Sequence, residues 1–148
     1  MNQATELASS KCHCINLRRA ANAITDYYDR AFARDGVTLN QYSLLSNIRK
    51  IQPCSVAELA RQVRLERTTL VRNLKTLYNA GWIENDAARG SRKSKTHLTE
   101  AGMALLETAQ IHWMQAQADV EGCLGPDGIR KLTDYLLALE KLNWTDKK

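Results

Sequence analysis

The chain has 148 residues, which favours one domain with a core of useful size, and it carries a net charge of +5. Apolar residues make up 44% and charged residues 25%, ordinary for a soluble globular protein, and seven Gly and two Pro leave little room for many turns, so a mostly helical fold is expected. No apolar run is long enough to span a bilayer, and residues 1–10 have neither a basic start nor an apolar stretch of signal-peptide type, so the expected location is the cytoplasm. Four Cys in such a chain read as free thiols, sensors or ligands rather than a disulfide framework.

In chain order, residues 1–10 read as a loose start. Residues 11–34 form a strong helix candidate, with Leu17, Ala20, Ala21, Ile24, Tyr28, Ala31 and Phe32 recurring at three- and four-residue steps, and Asp35-Gly36 as its stop. Thr38-Leu39-Asn40-Gln41 has the form of a capping box and opens a helix through Leu44, Leu45 and Ile48, closed by Pro53. Ser55-Val56-Ala57-Glu58 is a second such box, starting a short helix with Ala57, Leu59, Ala60 and Val63 on its apolar side. Arg64-Leu65-Glu66 is a tight connection in which Glu66 is placed to cap the next helix. That next helix puts Leu70, Leu74, Leu77 and Tyr78 on one face, and Gly81 ends it. Its other face carries Thr68, Arg72, Lys75 and Thr76, flanked by Thr69 and Asn73.

Trp82-Ile83-Glu84 and Lys95-Thr96-His97-Leu98 read as two short strands around a turn holding Arg89, Gly90, Arg92 and Lys93. A helix-turn-helix followed by a basic hairpin is a winged helix. Thr99 then caps a long helix over residues 100–122, with Ala101, Leu105, Ala109, Ile111 or His112, Ala116 and Val120 as its seam. Gly125-Pro126 breaks the chain and starts a last helix striped by Ile129, Leu132, Leu136, Leu139 and Leu142 and widened by Leu137 and Trp144.

A polar helix face of Arg, Lys, Thr and Asn suits a DNA major groove: Arg grips guanine bidentately, Asn grips adenine, and a Thr methyl touches thymine. The charge follows the same pattern. Residues 61–95 hold nine Lys/Arg against three Asp/Glu, +6, and the remainder twelve against thirteen, −1, which restores the total of +5. The expected fold is therefore mainly α with a small β-hairpin wing. It is a winged helix-turn-helix of six helices in a single domain, 1–148, with the DNA-binding lobe at about 37–98 and dimerisation helices at about 11–34 and 100–145. The long terminal helices are hard to bury within one small chain, so a two-fold homodimer is expected. It would present two reading helices roughly 34 Å apart to a palindromic double-stranded DNA site.

The order of elements and several local strings resemble the MarR family of bacterial transcription regulators. The strings are Gly36-Val37-Thr38-Leu39-Asn40-Gln41-Tyr42, Ser55-Val56-Ala57-Glu58-Leu59-Ala60, Leu65-Glu66-Arg67-Thr68-Thr69-Leu70-Val71-Arg72, Ala80-Gly81-Trp82-Ile83 and Leu98-Thr99-Glu100-Ala101-Gly102. The resemblance implies that Arg67, Thr68, Thr69 and Arg72 sit at the groove and that Arg92 is the wing-tip arginine entering the minor groove; the polar face itself adds Asn73 and Lys75 to the expected DNA contacts. Arg89, Lys93 and Lys95 would add phosphate contacts. The family's wing usually has Asp two residues before that arginine; here Gly90 stands there, and Asp86 is the nearby carboxylate.

Cys12-His13-Cys14 invites a metal reading, but consecutive helical residues diverge by about 100° each, so no metal or other cofactor is assigned. A redox reading fits better: Cys14 lies in the first turns of a helix, where backbone N–H groups favour a thiolate, and Arg18 is one turn on. Resemblance to the organic-hydroperoxide-sensing OhrR branch places Cys14 at the reactive cysteine and Tyr28 at one of the tyrosines that contact it. Arg18 stands at the other tyrosine's position. The same resemblance makes Cys123 or Cys12 the resolving thiol. The competing readings are cysteines that merely fill helix-packing gaps, and a regulator released by a small aromatic or phenolic ligand near Tyr27, Tyr28, His112 and Trp113. No nucleophile elbow, phosphate loop or HExxH string is present, so an enzyme is not expected; a thiol-dependent enzyme using Cys14 is the alternative of another class.

Overall fold

The computed structural model describes residues 8–87 and 93–143. Five helices and one hairpin follow in order: α1 (His13–Ala31), α2 (Leu39–Ile51), α3 (Val56–Val63), α4 (Arg67–Asn79), β1 (Ile83–Asn85), β2 (Thr96–Leu98) and α5 (Glu100–Glu140), with a 3-10 turn at Lys141–Asn143. The sixth expected helix is the distal part of α5. Gly125 adopts φ +70°, ψ 166° and kinks the helix there, and Pro126 restarts it at a position that needs no N–H partner. None of the helices is long and apolar enough to cross a membrane, among the described residues.

Both capping boxes form. Thr38 Oγ1 accepts the Gln41 N–H at 3.2 Å while Gln41 Oε1 accepts the Thr38 N–H at 2.9 Å. Ser55 and Glu58 repeat the exchange at α3. Thr99 caps α5 by accepting the Gly102 N–H at 3.1 Å. Glu66 occupies the cap position of α4 but makes no side-chain cap bond, so that expectation is corrected: its backbone turns the chain and its carboxylate stays in solvent.

The core forms where the end of α1, α2, α3, α4, the hairpin and the first half of α5 converge, with Phe32, Leu45, Ile48, Leu59, Leu70, Leu77 and Leu106 fully buried. The seam of α5 runs through Gly102, Leu106, Ala109 and Ala116, with Leu105 and Val120 half-buried against the core and Ala101 exposed. The reason is steric. Gly102 lies against the Trp82 carbonyl, and a β-carbon there would fall on that oxygen, so the chain must turn Gly102 inward and Ala101 outward. Of the expected stripe only Tyr28 in α1 and Phe32 just beyond its end are buried, because α5 packs against just the C-terminal half of α1. Leu17 and Ile24, and the distal residues Leu132, Tyr135, Leu136, Leu137, Leu139 and Leu142, stay exposed.

β1 and β2 pair antiparallel, with Ile83 opposite Leu98, Glu84 opposite His97 and Asn85 opposite Thr96. Cys54 adds a further, single-residue rung by exchanging backbone bonds with Thr96 at 3.0 and 2.7 Å. Gly102→Ala is expected to destabilise the fold by about 1 to 3 kcal/mol, since the backbone it meets cannot yield as a side chain would. Thermal denaturation checks this, and a melting temperature equal to that of the parent chain would contradict the close approach.

Candidate nucleic-acid interface

Burial of Leu70, Leu74 and Leu77 fixes the rotation of α4. That rotation leaves Arg67, Thr68, Arg72 and Lys75 exposed on one side, with Thr69 and Asn73 half-buried along the edge facing α2. Among the described residues, the side chains of Arg67, Thr68, Arg72 and Lys75 make no hydrogen bond or ion pair within the chain. The helix is 13 residues and about 20 Å long, and so presents its cationic face over several base pairs. A shallow depression bordered by Thr38, Asn40, Asn73 and Thr76 separates this face from the start of α2.

The turn before α4 is held by Arg64 in the left-handed region, φ +54°, whose guanidinium pairs with Glu140 near the end of α5. On the other side α4 is fastened to the hairpin: the Tyr78 hydroxyl donates to Asn85 Oδ1 and lies 2.8 Å from Thr96 Oγ1, which donates to Asn85 Oδ1 at 2.8 Å. Of the wing's basic residues, Lys93 is exposed. Arg89 and Arg92 lie outside the described residues. Lys95, read from sequence as a phosphate contact, directs its ammonium to Glu58 at 2.9 Å. Asp86 accepts the Lys95 backbone N–H at 2.8 Å, so its carboxylate closes the hairpin.

The cysteines fall into two environments. Cys54 is buried, and desolvation pushes its thiol above the usual range, which makes it a poor nucleophile. Cys12, Cys14 and Cys123 are exposed thiols. Cys12 is the cap residue of α1, and its N–H donates to Ser10 Oγ at 3.1 Å. Asn16 bonds the Ser10 backbone at 2.8 and 2.7 Å, pinning the segment that carries Cys12 onto the first turn of α1, which carries Cys14. Arg18 is exposed one turn beyond Cys14. Among the described residues no three His, Cys, Asp or Glu side chains converge as a metal site.

Tyr28 is not near Cys14 within one protomer: 14 residues of α1 separate them, about 21 Å. Its hydroxyl donates to Gln117 at 2.6 Å, and burial raises its pKa. Tyr27 donates to Asp119 at 2.6 Å, and His112 Nδ1 lies 2.7 Å from Asp35. These three contacts set an antiparallel register in which Cys123 stands level with about Ala23, nine residues and about 14 Å from Cys14 along the axis. A disulfide needs α-carbons within about 7 Å, so Cys14 and Cys123 of one chain are too far apart. The ties Glu58–Lys95, Tyr78–Asn85–Thr96 and Arg64–Glu140 were not legible in sequence; each joins residues that no local pattern links, and only the capping role of Glu58 signalled itself.

A helix-turn-helix with a hairpin wing, set between long terminal helices, defines a winged-helix transcriptional regulator. The chain belongs to the MarR family, whose model matches residues 37–95. It is 33% identical to the transcriptional regulator MosR of M. tuberculosis, over 90% of this chain and 98% of that one, with a TM-score of 0.74. MosR in complex with DNA matches at 34% identity over 89% and 98%, TM-score 0.75. The S. aureus MepR–DNA complex, 13% identical over 89% and 98% with a TM-score of 0.77, shares the fold. No curated protein matches the chain.

The Glu58 carboxyl is held at about 2, against an ordinary 4.5, chiefly by Lys95 and also by Ser55. A depressed carboxyl stabilises the fold above its unfolded pKa and loses that effect as pH falls through the folded one. The stability difference between the parent chain and Glu58→Gln is therefore expected to be constant above pH 4.5 and to shrink as pH falls toward 2. Urea titrations across that range check the sign; a difference that grows on acidification contradicts it.

Proposed function

We propose that this regulator is a cytoplasmic repressor, not an enzyme, that binds a palindromic site on double-stranded DNA as a homodimer. The observation that carries the reading is the cationic face of α4, exposed and without partners among the described residues while its leucine face is locked in the core. Arg67, Thr68, Thr69, Arg72, Asn73 and Lys75 read bases and adjoining phosphates, and Arg89, Arg92 and Lys93 carry the wing's backbone and minor-groove contacts. The DNA complexes of MosR and MepR support the partner class. The bare N-terminal half of α1 and the exposed leucines of distal α5 support a partner chain over residues 11–34 and 100–145.

The signal that fits the cysteines is an organic hydroperoxide. The Cys14 thiolate attacks the peroxide, the O–O bond breaks, an alcohol leaves and Cys14 becomes a sulfenic acid. A second thiol then forms a disulfide and expels water. Cys12 is the neighbouring thiol in the chain, and Cys123 of the partner subunit is the alternative, with Arg18 exposed one turn from Cys14. The reading based on an aromatic ligand has less support, because Tyr27, Tyr28 and His112 are already bonded to Asp119, Gln117 and Asp35.

Two outcomes test this. Arg72→Ala weakens specific DNA binding by about 1 to 3 kcal/mol and relaxes base preference, read by gel shift against selected and scrambled duplexes; parental affinity would sink the placement of the reading face. Peroxide releases the parent chain from DNA and reductant restores it, whereas Cys14→Ser stays bound; release of that variant refutes the sensing role.

A further inference from the structure

Where the wing leaves the head, one carboxylate oxygen serves two elements. Glu58 Oε2 accepts the Ser55 N–H at 2.7 Å and the Ser55 hydroxyl at 2.8 Å, closing the box that starts α3. The same oxygen lies 2.9 Å from Lys95 Nζ. Lys95 is the residue before β2, and its backbone is bound both ways to Asp86, at 2.8 Å through the carboxylate and 3.1 Å through the Asp86 N–H. One residue on, Thr96 is bonded to Cys54 on one side and to Asn85 and Tyr78 on the other.

We propose that Glu58 and Lys95 are positioning residues for the wing: their ion pair holds the base of the hairpin against α3, so that the wing meets a duplex at a fixed angle to α4. The inference rests on the DNA-binding reading above, and it assigns Lys95 to the protein rather than to phosphate. Exposed ion pairs are usually weak because two long side chains must be ordered to form them. Here that cost is largely met beforehand. Capping already orders Glu58, and Asp86 and Cys54 pin the backbone on either side of the Lys95 side chain. The depressed Glu58 carboxyl fits an anion held in place at neutral pH.

The two roles predict opposite signs. Removing a negative charge beside a cationic reading head tightens DNA binding if Glu58 acts only through its field. It weakens binding if Glu58 orients the wing. The test uses the full chain, a duplex recovered by that chain from a randomised library, and anisotropy titrations over a salt series. Glu58→Gln keeps the cap, since Gln also serves in the box. It is expected to bind about threefold to fivefold more weakly despite its added positive charge, the size of an ordered surface pair. Lys95→Met is expected to weaken binding similarly without changing the slope of log affinity against log salt, and the double variant should be no worse than either single one. Equal or tighter binding by Glu58→Gln overturns the inference. So does a slope reduced by about 0.9 in Lys95→Met, the mark of one lost phosphate contact. Should Glu58→Gln fail to fold, the slope for Lys95→Met decides alone. A parent chain with no salt-dependent duplex binding overturns the DNA reading and this inference together.

Discussion

The head depends on a pair of backbone hydrogen bonds between Cys54 and Thr96. Strands of three residues each do not make a stable hairpin in water. The hairpin persists because Cys54, on the connection from α2 to α3, supplies a further rung, and because Ile83 and Leu98 bury their side chains opposite one another. Cys54 is itself sealed in the core, so its role is to let the backbone come close. Tyr78 then reaches from α4 to both strands, which joins the reading helix and the wing base in one rigid piece. The exposed cations are thus carried on a frame set by buried leucines and satisfied polar groups.

Local chemistry made much of this readable. Two capping boxes, the Leu70, Leu74 and Leu77 stripe, the kink at Gly125 and the basic hairpin were all visible in sequence because each is decided within a few residues. What was missed is non-local. The α5 seam is set by the Trp82 carbonyl against Gly102, a contact that periodicity does not encode. The apolar stripe of α1 is covered by α5 over only its C-terminal half, since helix periodicity reports which face is apolar and not what covers it. Lys95 resembles any wing cation in sequence, because its partner Glu58 lies 37 residues away in the chain.

The thiols show the same division. Position on α1 was enough to single out Cys14, and geometry then limits what it can reach. Contacts between α1 and α5 fix their register, which separates Cys14 from Cys123 of the same chain and leaves Cys12, bracketed by the Ser10–Asn16 bonds, as the neighbour. A signal written on these thiols would start at the uncovered end of α1, far from α4 in the chain, and would have to travel through helices to the head.

The pairing of Arg64 with Glu140 gives such travel a mechanical form. Beyond Gly125, α5 continues for 15 residues, an arm of about 22 Å. A swing of one degree at that glycine displaces the arm's end by about 0.4 Å, by the same helical rise. Its tip pairs with the loop joining α3 to α4, so an angular change at the base would reach the joint between the two helices of the reading head multiplied by that arm.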